Sequence, residues 1–90
     1  MISALLCVKN ESHNMADCLK TLTFADEVVV IDDFSTDDTV LIAKDFGAKV
    51  FQRQMTGDWS SQRNFGIQQC THDWIFVIDA DERVSGELAR

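Results

Sequence analysis

Trp74-Ile75-Phe76-Val77-Ile78-Asp79-Ala80-Asp81 is the stretch that decides how this chain reads. Five apolar residues follow one another without alternation and run straight into two carboxylates. An unbroken apolar run of this length, rich in β-branched and aromatic residues, is what a strand buried on both faces looks like. Such strands belong to mostly parallel sheets covered by helices. In an open parallel sheet, ligands bind in the crevice beyond the carboxyl ends of the strands. The position of Asp79 and Asp81, directly after the run, is therefore as informative as their charge.

The same arrangement recurs upstream. Ile2–Val8 runs into Lys9-Asn10-Glu11, and Val28–Ile31 runs into Asp32-Asp33; a fourth apolar run surrounds Lys49–Phe51. Helical spacing fills the intervals. Met15, Cys18, Leu19 and Leu22 mark the first helix, with Asn10, Ser12 and Asn14 as candidate caps. Thr39, Ile42, Ala43 and Phe46 mark the second, with a Ser35-x-x-Asp38 capping box in front and Gly47 past its end. Trp59 to Cys70 gives a weaker third, capped by Asp58, with Gly66 inside at a cost of about 1 kcal/mol relative to alanine. Strand–helix alternation of this kind predicts an α/β doubly wound sheet, and right-handed crossovers leave few topologies for it. Three polar clusters then fall on one rim of one sheet, while the amino ends of the strands show no comparable cluster. Ser85–Arg90 reads as the opening of another helix.

At 90 residues the chain is expected to be one domain, and one this small has a thin stability margin. With no proline and four glycines, its turns rely on Asp, Asn, Ser and Thr. The net charge of −7 argues against a nucleic-acid partner, because no basic stripe is present to displace counterions. Cys7, Cys18 and Cys70 are odd in number and too widely spaced for a zinc or redox motif, so they read as reduced, buried thiols of a cytoplasmic protein. The apolar start, Met1 to Val8, is too short for a signal peptide or a membrane span. Work at a membrane would then be peripheral, at its inner face.

Carboxylates separated by one residue in extended backbone point the same way, so Asp79 and Asp81 can approach one cation together. Oxygen ligands of this kind suit Mg²⁺ or Mn²⁺, which also bridge to substrate phosphates. Alone, an Asp-x-Asp is just as well a polar turn ending a buried strand. Asp32 or Asp33 can accept from a ribose hydroxyl or a base N–H, or can cap the next turn. Asp37 and Asp38 read as first-turn residues placed by the helix dipole. Asn10 and Glu11 read as a cap or a pocket lining, and Arg63 as a phosphate contact or a surface ion pair. His13 and His72 carry no assigned chemistry, and Trp59 and Trp74 read as packing.

Taken in order, Val8-Lys-Asn-Glu11, Val28-Val-Val-Ile-Asp-Asp-Phe-Ser-Thr-Asp-Asp-Thr39, Arg63-Asn64 and Asp79-Ala-Asp81 resemble the N-terminal part of family 2 glycosyltransferases. Residues 74–84 are similar to the branch that adds glucose to lipopolysaccharide core. The resemblance covers nearly the whole chain. It implies a GT-A fold, Rossmann-like with a mostly parallel sheet flanked by helices, here truncated. Residues 1–90 would form a single nucleotide-diphospho-sugar-binding domain, part of a longer transferase. It implies inverting transfer, glucose from a UDP-sugar being the leading case, to a glycan or lipid-linked acceptor. Asp33 or its neighbour Asp32 would contact the nucleoside, and Val8 to Glu11 would line the base and ribose pocket. Asp79 and Asp81 would handle ribose, Mg²⁺ or Mn²⁺, and diphosphate, with Asp81 the more direct metal ligand.

Two departures stand out. That branch carries Asp-Ser-Gly-Ser where this chain has Asp32-Asp33-Phe34-Ser35, so a bulky residue replaces a permissive glycine and a different turn backbone is expected. An inverting transfer also needs a base for the acceptor hydroxyl, and none of these residues is placed to be one; the base is expected beyond residue 90. Two other readings share parts of the pattern. A receiver-like signalling domain binds Mg²⁺ through clustered aspartates, although no later lysine completes that site. A non-catalytic interaction module would use an exposed sheet edge.

Overall fold

The computed structural model of the chain describes residues 1–83. The Ser85–Arg90 helix expectation lies outside them. Elements follow in the order β1 (Ile2–Val8), α1 (Ser12–Lys20), β2 (Glu27–Asp32), α2 (Thr39–Phe46), β3 (Lys49–Gln52), α3 (Trp59–Gln69) and β4 (Trp74–Val77). All three strand pairings are parallel and the sheet order is β3-β2-β1-β4. The alternation read from the sequence is the alternation observed.

Order decides burial. β2 is buried along its whole length, and β1 along nearly all of it, because both are central. Ala4, Leu6 and Val8 join Val28 and Val30 in a core with Met15, Cys18, Leu19 and Ala43 of α1 and α2. Leu5, Val29 and Ile31 point the other way, with Phe65 of α3 against them. β3 and β4 do not fit the expectation of strands buried on both faces. They are the sheet's edges, and Trp74, Phe76 and Val77 are exposed. A continuous apolar run reports strand character but not position in the sheet.

The strand order steps from β1 through β2 to β3 and then returns to the far side of β1. With α1 and α2 on one face and α3 on the other, the crevice where the order reverses lies between β1 and β4. This is where open α/β sheets bind ligands.

Helix starts differ from the expected caps. Asp58 caps α3 as expected, accepting from the Ser61 N–H at 3.2 Å. Gly47 closes α2 in the left-handed conformation at φ 102°. The Ser35-x-x-Asp38 box does not form, because the Ser35 hydroxyl is bonded to Asp32 at 2.5 Å. None of Asn10, Ser12 and Asn14 caps α1. Its first amides are met from the end of the β2–α2 connection and the start of α2: Glu11 N–H donates to Thr39 Oγ1 at 2.9 Å and Ser12 N–H to Asp37 Oδ2 at 3.1 Å. Asp37 also accepts from the Thr39 N–H and hydroxyl. Those hydrogen bonds, from the Thr39 hydroxyl first, hold its carboxyl well below the usual carboxylate range. Asp37 and Asp38 precede α2 and do not lie in its first turn.

The amino rim is not as bland as its sequence. Glu27 is buried there and accepts from Ser3 Oγ at 2.7 Å, Lys49 Nζ at 2.5 Å, and Thr71 N–H at 2.8 Å and Oγ1 at 3.1 Å. Burial on its own would raise this carboxyl, but the Lys49 ammonium and the Thr71 and Ser3 donors outweigh it and bring the pKa down to about 2. A group depressed below its ordinary value near 4.5 gives stability that is present above that value. The stability is lost as pH falls towards 2. Urea midpoints measured from pH 6 to pH 2 are therefore expected to fall through this window. The Glu27→Gln protein should start lower and lose less across it; parallel curves would contradict this.

Candidate functional site

Because every strand is parallel, the segments after β1, β2 and β4 open on the same rim. Val8 pairs with Asp32, and the Asp33 N–H reaches back to the Val8 carbonyl at 2.9 Å, so the ends of β1 and β2 are tied together. From there the two neighbouring aspartates part company. Asp32 is fully buried, and its carboxylate accepts from Ser35 N–H at 2.9 Å, Ser35 Oγ at 2.5 Å and Gln52 Nε2 at 3.3 Å. It is a staple of the loop, which places it behind the rim rather than on it. Asp33 accepts from the Met55 N–H at 3.2 Å and faces Lys9 Nζ at 4.0 Å. With Val8, Lys9, Met55 and Trp59 it borders a cavity of about 90 Å³.

Asn10 holds a left-handed φ of 53° and accepts from the Thr36 N–H at 2.7 Å, while its own N–H donates to Ser35 Oγ at 2.7 Å. It braces two loops. Phe34 has φ 49°, so the turn keeps a glycine-like backbone in spite of the side chain. The strain is held by the Ser35 bonds to Asp32 on one side and Asn10 on the other.

Asp79-Ala80-Asp81 is not extended. β4 ends at Val77, and a turn closes with the Glu82 N–H donating to the Asp79 carbonyl at 2.9 Å. Cys18 Sγ donates to that carbonyl as well, at 3.7 Å, and Arg83 donates to the Ala80 and Glu82 carbonyls at 2.7 and 2.8 Å and to Asn14 Oδ1 at 3.2 Å. The turn is thus held by its backbone. Among the described residues no hydrogen bond or ion pair engages the Asp79 or Asp81 carboxylate. Desolvation raises the Asp79 carboxyl, and the neighbouring charges of Glu82, Asp81 and Glu11 raise it further. An exposed turn of uncompensated carboxylates of this kind favours a cation. Among the described residues no three His, Cys, Asp or Glu side chains already close around an ion. One or two carboxylates completed by phosphate oxygens is the usual arrangement for Mg²⁺, and Asp79 and Asp81 fit that donor set.

Arg63, a candidate phosphate contact, stands 4.9 Å over the Trp59 ring and pairs with no carboxylate among the described residues. Cys7 is half-buried beside it. Burial, with the Asp79 charge adding to it, lifts the Cys7 thiol to about 11. Only Cys18 of the three cysteines is fully buried, which narrows the expectation made for all of them. Lys9 falls in the Val8–Glu11 segment expected to line a pocket, whereas Met55 and Trp59 were missed as pocket residues. The one signal was a large aromatic directly after a helix cap. A larger cavity, about 400 Å³, opens at the amino rim beside Glu27, Lys49 and His72, where Glu27 is already satisfied by its neighbours.

A four-stranded parallel sheet in the order β3-β2-β1-β4, with helices on both faces, is an α/β domain of the GT-A kind. The chain belongs to glycosyl transferase family 2, whose sequence profile matches residues 3–89. An uncharacterized glycosyltransferase of Rickettsia felis is 44% identical over 88 residues, 97% of this chain and 31% of that protein. The lipopolysaccharide core biosynthesis glycosyltransferase LpsC of Rhizobium meliloti is 32% identical over 91 residues, covering 97% and 34%. Among solved structures, TarS of S. aureus superposes with a TM-score of 0.84 at 27% identity, over 96% of this chain and 29% of that one, and TarS has also been solved with UDP. The fold alone is shared with glucosyl-3-phosphoglycerate synthase from Mycobacterium tuberculosis, solved with Mn²⁺, UDP and glucosyl-3-phosphoglycerate (TM-score 0.77, 22% identity, 92% and 35% covered). The chain spans about a third of the length of the curated relatives it matches. Family membership leaves the receiver-like reading without support. No described helix is long and apolar enough to cross a membrane.

Proposed function

We propose that these residues form the donor-binding region of a metal-dependent, inverting glycosyltransferase that uses a UDP-sugar. The observation that carries this reading is the pairing, on one rim, of Asp33 in its small cavity with the unpaired Asp79–Asp81 turn across the β1–β4 crevice. Asp33 accepts from the base, Val8 and the Lys9–Glu11 segment line the nucleoside pocket, and Asp79 and Asp81 hold Mg²⁺ or Mn²⁺ against the diphosphate. Arg63 adds a cation on the same side. A divalent ion at that point offsets the charge that develops on the departing diphosphate, a contribution of several kcal/mol. Glucose as the sugar and a glycan or lipopolysaccharide-core acceptor, lipid-linked in the latter case, follow from the similarity of residues 74–84 to the core-glucosyltransferase branch and from LpsC. The base that deprotonates the acceptor is proposed to lie outside residues 1–90. Calorimetry with UDP-glucose tests the reading: binding is expected with Mn²⁺ and much weaker binding with EDTA. Equal heats under both conditions would remove the metal from it, and silence under both would remove the donor.

A further inference from the structure

The cavity beside Asp33 has a wall that neither the family match nor the acidic motifs assign. Trp59 is the first residue of α3, is 44% exposed, and borders the same space as Asp33, Val8, Lys9 and Met55. Its position is fixed from two sides. Asp58 caps the helix start through the Ser61 N–H. Arg63, one helical turn on, sets its guanidinium 4.9 Å from the ring centroid. A large aromatic anchored this way and still half open to solvent is a surface prepared for something flat.

The polar groups around the cavity narrow what that is. Gln62 also borders it, but its amide is consumed by Arg53, accepting from Nη1 at 3.0 Å and donating to the Arg53 carbonyl at 2.6 Å. Asp33 keeps acceptor capacity after its one bond from Met55. The slot is mainly apolar, with one aromatic wall and one carboxylate that the Lys9 ammonium faces at 4.0 Å, and it suits a planar ring that carries polar groups on its edge. About 90 Å³ admits a single ring more readily than two fused ones. We propose that Trp59 is the stacking wall of the nucleobase pocket, on which the flat face of the base lies. This rests on the donor-binding reading above and adds a residue to it.

The two tryptophans make the test direct. Trp74 lies at the start of β4, on the opposite rim, and is 73% exposed. In Trp74→Phe protein the only indole is Trp59, and its emission is expected to change saturably with UDP and Mg²⁺ but not with pyrophosphate and Mg²⁺. In Trp59→Phe protein, Trp74 should stay silent. Stacking on an aromatic typically contributes enough that Trp59→Ala should weaken UDP about tenfold. Pyrophosphate affinity should be unchanged, which also certifies the fold, and Trp59→Phe should retain most of the UDP affinity. UDP bound by Trp59→Ala as tightly as by the parent, or Trp59 emission unmoved on saturation, would overturn the stacking role and leave donor binding standing. If the parent protein bound pyrophosphate and Mg²⁺ but gained nothing from the base, the stacking role alone would likewise fall. A parent binding neither ligand would take both readings down.

Discussion

Protein carrying Asp79→Ala together with Asp81→Ala is expected to bind UDP in Mn²⁺ at least about a hundredfold more weakly than the parent, since several kcal/mol pass through the ion. Its residual affinity should no longer respond to EDTA. The same protein should melt no lower than the parent and somewhat higher. The backbone of the turn is held by Cys18, Arg83 and Glu82 through carbonyls and amides that survive the substitutions. What disappears is mutual repulsion, visible in the upward shift of Asp79 caused by burial and then by Glu82, Asp81 and Glu11. A binding loss accompanied by a lower melting temperature would mean that the carboxylates hold the fold, and an unchanged UDP affinity would sink the metal site.

The second large effect is on stability and concerns Gly66. The glycine lies inside α3, where alanine would ordinarily be preferred by about 1 kcal/mol. The reason it is tolerated is packing. A Cβ at this position would stand 2.6 Å from Leu5 Cδ1 and 3.0 Å from Ile31 Cγ1, and both partners are fully buried. Both belong to the core layer that α3 covers, with Phe65 beside them, so a branched side chain must push Leu5 and Ile31 aside. Gly66→Val is therefore expected to cost about 2–3 kcal/mol by overpacking, and in a domain this small that lowers the melting temperature by roughly 10 °C or more. Gly66→Ala should fall between, its helix preference offsetting part of the clash. Differential scanning calorimetry decides; Gly66→Val melting within a degree or two of the parent would show that α3 can lift from the sheet at little cost.

Much of this was legible in the sequence. Continuous apolar runs announced parallel strands, and the polar residues following them fall on one rim as read, because chain direction fixes which strand ends share an edge. What could not be read was anything that depends on lateral position. The run at Trp74–Val77 looks as buried as Val28–Ile31 until β4 is seen to be an edge. Asp32 and Asp33 are chemically identical in the sequence, and only the point at which β2 leaves the sheet sends one inward and the other to the cavity. Nothing in the sequence singles out Glu27, because its partners Ser3, Lys49 and Thr71 are 22 to 44 residues away. The Asp-x-Asp geometry was read as extended because the run before it is a strand, whereas the hydrogen bond from Glu82 turns the chain immediately.

The loops after β1 and β2 are stitched to one another by Asn10, Ser35, Asp37 and Thr39. Their shape is thus set before any nucleotide arrives. Little conformational entropy remains to be surrendered on that side of the crevice. Association there should resemble a key entering a cut lock, with affinity differences among nucleotides expressed in how slowly they leave.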